Sequence, residues 1–340
     1  MTDWLVYRGV DDPHDGIAEL PAPPNWRTFD GGPALPVPPG SSDTAVARRL
    51  GHGSATLTRP AVLQMINAAL YLRRPLLVTG KPGVGKSALA YAVARELRLG
   101  PVLTWPISSR STLAEGLYQY DPIGRLREEN LRRLQAPAET DESSIGRYLT
   151  LGPLGTALLP YEKPRVLLID EIDKSDIDLP NDLLNVFEEG EYTIPELRRI
   201  AAPAPEVDVL TADDGVTAPI RNGRVRCRAF PFVVLTSNAE REFPPAFLRR
   251  CLRLVLAEPE PDQIGAMIES HLGPAVAGKA RDMVKDFVAA RGAPGVYATD
   301  QILSAVYLRF ARHDVESDTA MLETVRAVLS DLSGPGPGVA

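Results

Sequence analysis

The chain has 340 residues, 44% hydrophobic and 24% charged, a size that suits two domains or one large domain with a satellite. A net charge of −7 excludes a global positive field that would draw the protein to nucleic acid or to an anionic membrane. The two cysteines, Cys227 and Cys251, lack metal-ligand spacing, and reduced thiols are expected.

In chain order, the opening "MTDWLVYRGVDDPHDG" has no basic stretch leading into an apolar one, so no signal peptide is expected. No apolar run approaches the ~18 residues that span a bilayer, and a cytoplasmic location is expected. Residues 1–45 form a proline-rich, aperiodic arm, which excludes a helix interior or a central strand. Trp26 and Phe29 could pin this arm to a surface; the other reading is a disordered tail.

The core is expected over 46–258. A helix is predicted at 59–74, a short buried strand at 75–80 and a helix at 87–99. Strands follow at 101–107 and 165–171, a helix starts within 179–192, and further strands lie at 230–238 and 251–259. Apolar strands without polar alternation, separated by helices, indicate an α/β fold whose parallel sheet is covered on both faces. After Pro259 the pattern is helical only, at 261–271, 274–291, 299–313 and 318–331. That shift marks a small all-helical lid over 259–332, followed by a frayed tail at 333–340.

Gly80-Lys81-Pro82-Gly83-Val84-Gly85-Lys86-Ser87 matches G-x-x-x-x-G-K-[ST] between the strand and the helix that the mechanism requires. Gly80, Pro82, Gly83, Val84 and Gly85 shape a loop whose N–H groups can turn toward phosphate oxygens. The helix that opens at Lys86, Ser87 and Ala88 adds its unpaired N–H groups and positive dipole end. Lys86 brings an ammonium to the β- and γ-phosphates, and Ser87 ligates Mg²⁺. These residues predict a P-loop NTPase that binds ATP.

The strand "RVLLIDEID" delivers Asp170 and Glu171 to its C-terminal end, where ligands of open α/β sheets gather. Adjacent strand residues point to different faces, so the two acids can take different tasks. Asp170 is the second Mg²⁺ ligand and Glu171 the group that polarises the attacking water. The strand "VVLTSN" brings Asn238 to the same edge, as a hydrogen-bond partner of the water or the γ-phosphate or as a turn-forming amide. Arg249 and Arg250 close a short helix before the next strand, positioned to reach a neighbour's nucleotide or to cap the helix dipole.

In this order the motifs resemble an AAA+ ATPase and, within that class, the MoxR family, over roughly 45–331. The resemblance implies a three-layer sandwich with two insertions. One, at about 110–160, interrupts a helix and includes Gly152-Pro153-Leu154; the other is a hairpin at about 190–229, where Glu188, Glu189 and Thr193 match the family's hairpin element. It implies a ring, expected as a hexamer, with ATP between subunits and Arg250, or second Arg249, as a finger acting in trans. It also implies a remodelled protein partner, expected to be a von Willebrand factor A-domain protein.

One residue departs from the family pattern. Gln301 stands where related lids carry an arginine that senses the γ-phosphate, leaving Arg309 or a neighbouring subunit to supply that charge. Adenine contacts are expected from His52 to Arg59 and from the lid. Two other functions stay open. A nucleic-acid motor would use Arg224, Arg226 and Arg228, which alternate onto one face of a strand, unless Asp208, Asp213 and Asp214 balance them. A weakly hydrolysing nucleotide switch is the other.

Overall fold

Within the described residues the predicted strands and helices form, with ends set by local backbone chemistry. The computed structural model describes residues 4–40, 57–135, 142–258, 260–290 and 299–310. Helix α1 (Pro60–Leu72) leads to β1 (Leu76–Thr79), and the phosphate-loop motif joins β1 to α2 (Ala88–Glu96). Next come β2 (Leu103–Pro106), α3 (Leu113–Leu117), β3 (Tyr118–Tyr120), α4 (Pro122–Gln135), β4 (Leu149–Leu151) and α5 (Pro153–Ala157). The chain continues through β5 (Val166–Asp170), α6 (Leu179–Glu189), β6 (Glu191–Thr193), α7 (Pro195–Arg199) and β7 (Glu206–Leu210). Then follow β8 (Thr217–Arg221), β9 (Arg224–Arg226), β10 (Phe232–Ser237), α8 (Pro245–Arg250) and β11 (Leu252–Val255). The described helices after Pro259 are α9 (Pro261–Leu272), α10 (Pro274–Ala290) and α11 (Thr299–Phe310).

Two helices stop earlier than the periodicity suggests. α2 ends at Glu96 because Arg98 turns left-handed at φ 52°. α6 ends at Glu189 because Gly190 takes φ 63°, a conformation glycine adopts without a Cβ clash, and residues 191–193 become a strand.

The five-stranded sheet has the order β11-β1-β10-β5-β2, with every pair parallel. All of β10 is buried, as a central strand covered on both faces must be. Alternate residues of β1 feed opposite layers: Leu77 packs with Leu167, Ile169 and Leu235, and Leu76 and Val78 pack with Val166, Leu168 and Val234. Full burial of such a side chain contributes about 1.5–3 kcal/mol.

The two insertions do not stay separate. Their strands join in one six-stranded sheet, ordered β3-β4-β7-β8-β9-β6, where β4 meets β7 through Thr150 and Leu210. Val207, Val209, Ala218, Ile220 and Val225 bury one face of this sheet in the cluster that also holds Leu167 and Leu235. The expected hairpin forms as antiparallel β7 and β8, and one of its faces packs in the core.

The described part of the arm is packed rather than tail-like. Val6 and Tyr7 are buried and donate their N–H groups to Oδ1 of buried Asn67 at 2.7 and 2.9 Å. Arg8 and Val10 donate theirs to the carboxylate of Glu96 at the end of α2. Trp26 does not pin the arm, because it is 80% exposed. Its neighbour does: buried Arg27 donates to the carbonyls of Arg73 and Phe187 and sits over the rings of Phe29 and Phe230. Phe29, the other expected anchor, stacks on Phe230 at 5.4 Å.

Ile264, Ile268, Val284, Ile302 and Val306 give α9, α10 and α11 a hydrophobic cluster of their own. The helix expected at 318–331 and the tail lie outside the described residues, as do residues 52–56 of the expected adenine segment. Among the described residues, no helix is long and apolar enough to cross a membrane.

Cys227 and Cys251 are free and buried. Burial pushes both thiols up to about 12, against a partial pull downward from Arg27 on Cys227 and Arg74 on Cys251. Both therefore stay protonated at neutral pH. The folded protein should resist a colorimetric thiol reagent and release two equivalents only when unfolded. Fast labelling of the native protein would show that these layers open easily.

Candidate functional site

Three neighbouring strands, β1, β10 and β5, end together at one edge of the sheet. The register pairs Leu76–Thr79 with Val234–Ser237 and Phe232–Leu235 with Val166–Ile169. The loop after β1, the acids ending β5 and the amide after β10 must therefore meet. Gly83 and Gly85 turn the loop at φ 76° and 92°, where a side chain would be strained. Val84 drives its side chain into the core, while Lys81, Pro82 and Gly83 stay exposed at the tip. Ser87 stands just before α2, which begins at Ala88, and its hydroxyl makes no capping bond to that helix.

Lys86 is buried and folds back over the loop. Its ammonium donates to the carbonyls of Gly80 and Lys81 at 2.8 and 2.9 Å and to Oδ1 of Asn238 at 2.7 Å. An ammonium only donates, which fixes the Asn238 amide with its oxygen inward. Burial holds the Lys86 pKa below the usual lysine value, opposed by the charges of Asp173, Asp170, Glu171 and Glu240.

Asp170 Oδ1 accepts two hydroxyls, from Ser87 at 2.7 Å and from Thr236 at 2.6 Å. Ser87 and Asp170 thus lie side by side as an all-oxygen donor pair, the chemistry that suits Mg²⁺. Thr236 Oγ1 also accepts the N–H of Glu171 at 2.9 Å, tying both acids to β10. Glu171 sits at φ 60° and ψ 49°, a left-handed conformation that costs a non-glycine residue about 1–3 kcal/mol and turns the chain sharply off the strand. Its carboxylate pairs with Lys174 at 2.7 Å, but the two side chains are 42% and 45% exposed. Solvent screening leaves such a pair worth only about 0–1 kcal/mol, so Glu171 is easily released.

Three contributors beyond the expected set emerge. Thr236 is the shared hydroxyl, and Lys174 the counter-ion of Glu171. Asp173 is the third: it is buried, its Oδ2 accepts the N–H groups of Asn238 and Glu240 at 2.8 and 3.3 Å, and its Oδ1 is buried without a partner. The sequence signal for it was a third acid in "DEID", two residues past Glu171.

Arg249 and Arg250 are not brought to this edge. Leu252 pairs with Leu76, at the start of β1, and Thr79 pairs with Val255 at its end. Strand rise of ~3.3 Å per residue thus separates the arginines from their own loop by the length of β1. Arg250 Nε donates to Glu188 Oε1 at 2.7 Å, and Arg249 is exposed. Gln301 is half-buried on α11, and the Arg309 guanidinium lies over Phe310 near the other end of that helix. Arg59 donates to Gln263 of α9 at 2.6 Å, and Lys81 of the phosphate loop pairs with Glu258, which precedes α9.

The expected balance of the arginine strand is corrected in its partners. Arg224 pairs with Glu191, Arg226 with Asp30 and Glu191, and Arg221 with Glu206. Asp213 instead forms a buried two-bond pair with Arg165 at 2.7 and 2.8 Å. Arg228 is exposed.

The sheet order, the glycine loop and the paired acids define a P-loop nucleotide-binding fold. Residues 75–251 match the family model described as AAA domain (dynein-related subfamily), and the chain belongs to that family of nucleotide-dependent ATPases. The comparison with curated proteins found no match.

Replacing Asp173 by alanine should remove the acceptor of the Asn238 and Glu240 N–H groups and cost about 0.5–1.5 kcal/mol in urea unfolding. Asp173→Asn keeps an acceptor oxygen and should recover most of that loss. Equal stability of wild type and the alanine variant would mean the carboxylate does not hold this loop.

Proposed function

We infer that the protein is a ring-forming, MoxR-like ATPase that hydrolyses ATP with Mg²⁺ to remodel a protein partner. The observation that supports this most is the convergence of Lys86, Ser87, Asp170 and Asn238 at adjoining strand ends. Lys86 leaves two loop carbonyls and Asn238 to bind the β- and γ-phosphates. Ser87 and Asp170 would hold Mg²⁺, which when bound offsets phosphate charge. Glu171, released from Lys174, accepts a proton from water as its oxygen attacks the γ-phosphorus and the bond to ADP breaks. Asn238 turns from Lys86 to orient that water.

Arg250 lies at the far edge from its own loop, which favours action in a neighbouring subunit, with Arg249 as the second choice. A hexamer and a von Willebrand factor A-domain partner rest on the resemblance to MoxR proteins. The nucleic-acid reading loses support because Arg224 and Arg226 already have carboxylate partners.

ATP turnover per subunit, measured across protein concentration with Lys86→Ala as the blank, tests this reading. Specific activity should rise with concentration, and Arg250→Ala should lower the plateau by about 10³–10⁵-fold while sparing ATP binding. Glu171→Gln should cut turnover by about 10²–10⁴-fold and retain ATP. Full activity in the Glu171→Gln variant would remove Glu171 from the mechanism.

A further inference from the structure

The edge that carries Arg250 holds a second feature, contributed by the arm, which lies outside the family-matched residues 75–251. Asn25–Arg27 forms a short 3-10 turn, and Arg27 bolts it down through three hydrogen bonds to the carbonyls of Arg73 and Phe187. The adjacent Trp26 is thus presented on a fixed platform, yet it remains 80% exposed. A large aromatic side chain on a rigid, solvent-facing turn has the character of an interface anchor, since its ordering cost is already met.

Trp26 lines a cleft of about 150 Å³ together with Arg27, Arg74, Phe187, Glu188 and Arg250. Three arginines and one carboxylate line it, so the cleft is positive. Glu188 lies 2.7 Å from Arg250 Nε and 3.7 Å from Arg27, which connects the anchored turn to the finger candidate. Arg74 donates to the carbonyls of both Arg249 and Arg250, fixing the backbone from which they project. The opposite edge carries more acids than bases: Asp176, Asp178, Glu240 and Glu242 are exposed around the nucleotide site, with Lys81, Lys174 and Arg241 among them. One chain therefore carries two complementary surfaces at opposite ends of its sheet. A head-to-tail contact of that kind closes into a ring or extends into a filament.

We propose that the N-terminal arm is a subunit-contact element, with Trp26 packing against the acidic nucleotide edge of a second copy of this chain beside Arg250. The proposal rests on the ring reading above. In it, the arm supplies attraction and register, and Glu188 keeps Arg250 ordered until the neighbour's phosphates compete for it.

The test is sedimentation of the full chain with a non-hydrolysable ATP analogue, alongside turnover against concentration. Trp26→Ala should move the assembly midpoint to about tenfold higher protein concentration or more. ATP binding by the unassembled chain should be unchanged, because Trp26 touches no part of the nucleotide site. Trp26→Phe should recover much of the loss, which a merely altered fold would not predict. Assembly of the wild type should also shift tryptophan emission to the blue, and Trp26→Phe should abolish most of that shift. If the wild type assembles and Arg250→Ala removes the concentration-dependent turnover, yet Trp26→Ala assembles as wild type does, the ring stands and the arm proposal fails. Trp26 would then face some other protein. A wild type that stays monomeric with nucleotide overturns both.

Discussion

Oδ1 of Asp170 is where the separate parts of the fold are held in common. Ser87 from the head of α2 and Thr236 from β10 both donate to it, and Thr236 in turn accepts the N–H of Glu171. Those bonds exist only because β10 lies between β1 and β5 with parallel register. A one-residue slip would send every side chain to the other face and part the hydroxyls from the acid. The apolar burial along β10 therefore specifies the site as well as stabilising the sheet.

Around that node the charged groups are occupied but not locked. Lys86 is held by two carbonyls and an amide oxygen, Glu171 by a screened lysine, and Asn238 by the buried carboxylate of Asp173. The backbone contact to Asp173 is the firm one, because a buried carboxylate left without its donors is costly. The side-chain contacts of Lys86 and Glu171 are the exchangeable ones. A phosphate offers Lys86 a full negative charge in place of neutral oxygens, so nucleotide entry can redirect Lys86 without disturbing the loop that carries Asn238.

The sheet, and Ser87, Asp170 and Glu171 of this node, were legible because the relevant signals are local, whereas Thr236 carried no signal of its own. Strand hydrophobicity, glycine spacing and acids at a strand end each lie within one short segment. What the sequence hid depends on distant segments meeting. The two insertions share a sheet only because Thr150 and Leu210 come together, and a single bridging pair leaves no periodic trace. Asp173 is one more acid after Asp-Glu until its oxygen is seen beneath Asn238. Trp26 looked like the anchor because aromatic residues usually bury, whereas Arg27 buries instead: carbonyls accept from its donors and the stacked rings of Phe29 and Phe230 lie against it. Fold class and phosphate chemistry are thus written in short motifs, but the partners of Glu188, Glu191 and Asp213 are set by tertiary structure.

The arm is the element that touches both ends of this arrangement. Near its start it is stitched to α2, the helix that follows Ser87, through the Glu96 carboxylate and through the His14 N–H, which donates to the Glu96 carbonyl. Further along it is stitched to Arg73 and Phe187, beside the edge that carries Arg250. A segment of low periodicity and high proline content has little reason to be held so firmly if it is only a tail. Burial of Val6, Tyr7 and Arg27 removes its freedom, and proline has already limited how much freedom there was to lose. The exposed aromatic on this immobilised segment is then the feature without an internal use. Its position beside the positive cleft directs attention to the surface of a second copy.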